Sequence, residues 1–120
     1  MNNKEKAIEF LQMVVKGNID KAYEKFVDSK GIHHNIYFEA GFNALKQAMK
    51  DNHTQFPNKT FDVIQTVSEN DLVAILTKVG IESKQYSISH FFKFNDGKII
   101  EMWDNAQEIL DSILNKDGAF

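Results

Sequence analysis

The 120-residue sequence predicts an α+β fold in which a curved antiparallel sheet wraps against three helices. Three observations predict it. Apolar residues recur at helical spacing in three segments before residue 53. From Thr60 onward they run with period two, or as short apolar stretches, through four segments parted by turn residues. The last two of these flank Asn95-Asp96-Gly97, a strong hairpin signal. Helices that precede a run of strands gather on one side of an antiparallel sheet.

The first helix is expected from Lys4 to Lys16, with Ala7, Leu11, Val14 and Val15 on one stripe and Ile8 at its edge. Gly17 suits its C-terminal cap, and Asn18 suits the N-cap of the next helix, Ile19 to Asp28. Ala22, Tyr23, Phe26 and Val27 form that helix's apolar face, and Ser29-Lys30-Gly31 breaks it. Ile32 to Phe38 reads as a short strand carrying His33, His34 and Asn35. Gly41 to Asn52 returns to helical spacing, with Phe42, Leu45, Ala48 and Met49 inward. After a polar connection holding the only proline, Pro57, strands are expected over 60–68, 72–81, 86–94 and 98–104. Phe61, Val63, Gln65 and Val67 share a face of the first; the second is apolar enough to be covered on both faces. Ile109, Leu110, Ile113 and Leu114 predict a short closing helix from Ala106 to Asn115.

Composition narrows the function. One domain spanning 1–120 can bury a single core. There is no Cys, hence no disulfide, thiolate nucleophile or Cys-based metal site. Every basic residue is Lys, so bidentate recognition of phosphate or guanine has no candidate. A net charge of −3 without a basic cluster argues against nucleic acid as a partner. The polar start M-N-N-K-E-K and the lack of a long apolar run predict a soluble, cytoplasmic chain with no membrane partner.

The hairpin from Tyr86 to Asp104 carries the candidate site. A three-residue loop with Gly97 in a G1 bulge pairs Phe94 with Lys98, Phe92 with Ile100, His90 with Met102 and Ile88 with Asp104. His90, Phe92, Met102 and Asp104 then line one surface. A two-residue Asp96-Gly97 loop pairs His90 with Trp103 instead and turns Asp104 away. An imidazole and a carboxylate on an apolar wall suit proton transfer, and on that wall they are expected to titrate as a coupled pair. The plainer role for His90 is a core histidine satisfied by a hydroxyl such as Ser89 or Tyr86. A cavity between curved sheet and helices suits a small apolar ligand.

Several segments, in order, also match a known pattern: G-I-H-H-N, then S-E-N-D-L-V-A-I, F-F-K-F, and D-G-K-I-I-E-M-W-D. The chain resembles the SnoaL-like, polyketide cyclase-like branch of the nuclear-transport-factor-2-like (NTF2-like) superfamily. The resemblance implies a cone-shaped, cystatin-like α+β fold and a homodimer. His34 and Asn35 match the family's Q-H-N, and Asp104 matches the acid/base Asp of H-W-D. His90 stands where many members carry Asp. Met102 replaces a family His, and Leu76 stands where a strand His is common; both make the pocket more apolar.

Asp104 and His90 are therefore the candidate catalytic pair, with His34, Asn35, Phe92 and Met102 as ligand contacts. His34 rather than His33 is expected to face the cavity, because the two alternate along a strand. His34, His90 and Asp104 are types that bind Fe(II) or Zn(II), but their spacing is no metal motif, so no metal or other cofactor is expected. The partners expected are a small hydrophobic carbonyl-bearing or cyclic molecule and a second copy of the chain, met through an outer face that includes Trp103. Two readings stay open: a cofactor-independent isomerase or cyclase, which needs Asp104 buried, and a non-catalytic ligand-binding or dimerisation module, which can keep it solvated.

Overall fold

In the computed structural model, which describes residues 1–120, the chain runs α1 (Asn3–Val15), α2 (Ile19–Phe26), β1 (Val27–His33), α3 (Phe42–Gln55), β2 (Lys59–Glu69), β3 (Leu72–Ile81), β4 (Lys84–Asn95) and β5 (Lys98–Ile109). The five strands form one sheet in the order β1-β5-β4-β3-β2. β2 to β5 are the expected antiparallel meander, and β1 joins its far edge parallel to β5. No helix is long and apolar enough to cross a membrane.

Local chemistry explains the helix ends. Asn2 and Glu5 form a capping box at the start of α1, each side chain accepting from the other's backbone N–H. Gly17 follows the end of α1 with φ 91°, the left-handed conformation that releases the chain toward α2. The expected Asn18 side-chain cap is not made. Lys98 Nζ donates instead to the carbonyls of Glu24 and Lys25 near the end of α2, at 3.1 and 2.7 Å. Lys6 Nζ donates to the Gly97 carbonyl at 3.2 Å, so α1 and α2 both hold the β4–β5 turn.

The sheet's inner face packs on the three helices. Phe10, Phe26, Phe42, Ile75, Phe92 and Ile99 are buried there, each contributing about 1.5–3 kcal/mol by leaving water. Phe10 stands edge-on to both Tyr23 and Phe92, at 5.3 and 5.9 Å between ring centroids. One extra residue in each of β2 and β5, Ile64 and Ile100, bulges the ladder. Bulges bend a strand and increase its twist, which curves the sheet around the helices.

Two expected elements differ. The closing helix over Ala106 to Asn115 is absent. Ala106 to Ile109 continue β5, pairing with Ile88 to Gln85 of the long strand β4, and ladder bonds to a neighbour outweigh weak local helical preference. Beyond Ile109 the chain is irregular, and Leu110 and Leu114 are exposed. The strand expected over Ile32 to Phe38 lies earlier, at Val27–His33. Asn35 ends it, because its Oδ1 accepts the N–H of Tyr37 at 3.0 Å, an Asx turn that bends the chain off the sheet.

Candidate functional site

The β4–β5 register decides what meets at the site, and it is neither of the two the sequence suggested. Asp96 and Gly97 alone form the loop, with φ 49° and 75°, and Asn95 pairs with Lys98. Positive φ at both positions is the type I′ geometry, whose twist matches that of the strands. The extra residue at Ile100 then shifts the pairing by one more place. Phe92 therefore pairs with Met102, and His90 with Asp104. The two shifts cancel in parity, so His90, Phe92, Met102 and Asp104 still share the inner face.

These four border a cavity of about 90 Å³ between sheet and helices, walled also by Phe10 and Leu11 of α1, Tyr23 of α2 and Leu45 of α3. Asp104 is half-buried at its edge. Its Oδ2 accepts from Asn35 Nδ2 at 3.0 Å, and Oδ1 has no protein partner. Burial raises the Asp104 pKa above the ordinary carboxylate range; the Asn35 hydrogen bond and the nearby His33 ring pull the other way. The Tyr23 phenol is pushed upward too, by burial first and by the negative Asp104 second. It therefore stays protonated and can only act as a proton-bearing donor beside that carboxylate.

His90 is fixed by a different group from the one expected. Its Nε2 lies 3.0 Å from Thr77 Oγ1 on the adjacent strand β3, and its ring stacks on Phe92 at 6.0 Å between centroids. The satisfying hydroxyl is thus Thr77, not Ser89 or Tyr86. Burial lowers its pKa to about 4, so it is neutral at physiological pH. Protein packs closely around the ring, which keeps some accessible surface and is among the residues bordering the cavity. Burial, not a charge on Asp104, accounts for the shift, so the expected coupling between the two has no counterpart in these pKa shifts.

The two adjacent histidines exchange the places expected of them. His33, the last residue of β1, pairs with Met102 and is buried. Its Nε2 lies 2.7 Å from the Glu39 carbonyl, and its Nδ1 accepts the Asn35 N–H at 3.1 Å. His34 is exposed, stacks on Trp103 at 5.0 Å and meets Glu101 Oε2 at 2.6 Å. It lies on the outer side and not in the cavity. The cause is the early end of β1: its pairing with β5 puts His33, not His34, in line with the inward Met102.

Asn35, Phe92 and Met102 line the cavity with Asp104 and His90, while His34 does not. Tyr23 and Thr77 are groups the sequence assigned no polar role, and His33 was expected to face solvent. Tyr23 looked like one more apolar residue of α2, though a phenol on a buried stripe signals a polar partner. Thr77 is the one polar residue among the buried positions of β3, beside Val73, Ile75 and Val79. No three His, Cys, Asp or Glu side chains converge as a metal site.

No family model matches the chain, and no curated protein is significantly similar to it. Solved structures do match it closely in shape. AclR from Streptomyces galilaeus, a proposed hydroxylase, superposes with a TM-score of 0.75 at 18% identity, covering 88% of each chain. A SnoaL-like polyketide cyclase from Agrobacterium tumefaciens gives 0.71 at 17% identity, over 89% of this chain and 92% of that one. An NTF2-like protein of unknown function from Cytophaga hutchinsonii gives 0.72 at 13% identity, over 89% and 91%. The chain thus has the NTF2-like α+β fold, the one shared by SnoaL-like polyketide cyclases.

Proposed function

We propose that this protein is a cytoplasmic enzyme that binds a small hydrophobic carbonyl-bearing or cyclic molecule in the cavity and moves a proton on it without a cofactor. The observation that carries this reading is Asp104, a desolvated carboxylate with one oxygen held by Asn35, the other without a protein partner, and a charge that acts on the Tyr23 phenol in the same cavity wall. In this reading Asp104 takes a proton from the carbon next to the carbonyl. The C–H bond breaks, its electron pair forms the enolate, and Tyr23 hydrogen-bonds the developing oxyanion. Protonated Asp104 returns the proton at the same or another carbon. Phe92 and Met102 supply apolar contact. Structural neighbours described as polyketide cyclases support a carbonyl substrate by analogy alone.

A second reading, a non-catalytic ligand-binding or dimerisation module, is favoured by size. At about 90 Å³ the cavity has room for about three waters, against roughly 300 Å³ or more for usual ligand sites. In either reading the active form is a homodimer. Val67, Ala74, Phe91 and Trp103 form a cross-strand row on the outer face, and Val67 and Phe91 are 63% and 38% exposed.

Deuterium uptake into cyclohexanone, followed by proton NMR in heavy water, separates the two. The enzyme reading expects exchange at the α-carbons above buffer, reduced at least about a hundredfold in Asp104→Asn, the usual worth of a general base. Exchange unaffected by that substitution would exclude Asp104 as the base.

A further inference from the structure

We propose that His90 Nδ1 is a fixed hydrogen-bond acceptor in the cavity, set by Thr77, and that the ligand carries a hydroxyl or N–H to meet it. This rests on the cavity being the ligand site, and it adds a required group to the ligand class proposed above.

One proton decides which ring nitrogen is the acceptor. Thr77 Oγ1 lies 3.0 Å from His90 Nε2 and 3.3 Å from the Ile88 carbonyl. The hydroxyl has a single hydrogen to give. If it donates to the carbonyl, its lone pair accepts from Nε2–H, and both contacts are hydrogen bonds. If it donates to Nε2, the contact with the Ile88 carbonyl is lost. The first arrangement makes one hydrogen bond more, in a place where Thr77 is fully buried and no water substitutes. Nε2 then carries the ring hydrogen, and Nδ1 holds a lone pair.

That lone pair has no protein partner and is not fully sealed, and the ring that carries it lines the cavity. The Thr77 contact orients the ring, which lies parallel to Phe92. The ring is neutral because it is buried, so Nδ1 stays an acceptor through physiological pH. Asp104, directly across the strand pair, is the other open acceptor, and Tyr23 is the donor. A bare ketone satisfies Tyr23 and leaves His90 unmet. A hydroxy-ketone, an enol or a phenol satisfies both. His90 is thus a specificity-determining residue, and Thr77 its positioning residue.

The test has two arms on the full-length chain. Long-range nitrogen–proton NMR of the imidazoles reads the tautomer without ligand. The Nε2–H form is expected for His90 between about pH 5 and 8. A tautomer mixture is expected in Thr77→Val, and Thr77→Ser should restore the single form. A dominant Nδ1–H form in the wild type would overturn the proposal. In the second arm, phenol and toluene are titrated as shape-matched probes. Phenol should bind about tenfold tighter, the worth of one hydrogen bond, and His90→Phe should erase the difference. Equal binding of both probes to the wild type overturns the His90 acceptor alone. Binding of neither probe overturns the cavity as the ligand site, and this inference with it.

Discussion

Two partly desolvated titratable groups face one small cavity and pull stability in opposite directions with pH. His90 has its pKa lowered from 6.5 to about 4 in the folded chain. Between those values the unfolded chain binds a proton that the folded one excludes, so stability falls as pH drops through that window. The whole loss is about 3 kcal/mol. It should appear as a lower urea midpoint toward pH 4, and His90→Phe should flatten that acid limb. Asp104 behaves in the reverse sense. Its folded pKa is raised, so its charged form carries a desolvation cost that is absent in acid and grows as pH rises through the folded value. Asp104→Asn should therefore unfold at higher urea than wild type at neutral pH, while losing proton exchange. A destabilised Asp104→Asn would mean that its carboxylate is held by more than Asn35.

At the scale of elements, the meander was legible because its signals are local: alternating apolar residues and tight turns at Asn70-Asp71, Glu82-Ser83 and Asp96-Gly97. The bulge at Ile100 was not, since it depends on what lies beside β5. Gly31 of β1 packs on the Ile100 carbonyl and on the Phe42 ring, and a Cβ there would meet both. Gly31→Ala should cost about 1–3 kcal/mol by overpacking, read as a lowered thermal midpoint with the fold retained. The shared face of His90 and Asp104 was foreseen through a different register, which had the same parity. The His33 and His34 reversal was not foreseeable from alternation alone, because an Asx turn at Asn35 ended the strand early. The tail's helical spacing misled for a tertiary reason: β4 is long enough to hold residues 106–109 in the sheet.

Across the whole molecule, the helices close one face of the sheet and leave the other with a row of apolar side chains. That asymmetry predicts a dimer in solution. Sedimentation at high micromolar concentration should give twice the chain mass, and Phe91→Glu, on the outer face, should give the monomer; a monomeric wild type would exclude the dimer. The inner face sets the chemistry. Sheet curvature, the Tyr23 phenol and the Asn35 turn together keep a carboxylate at the edge of an apolar cavity. The titration of the Asp104 side-chain carboxyl carbon by NMR tests this most directly. The expected midpoint lies above the ordinary value of about 3.9 and falls when Tyr23 or Phe10 is cut to Ala and water enters. A midpoint at or below the ordinary value, unmoved by those changes, would place Asp104 in solvent and contradict it.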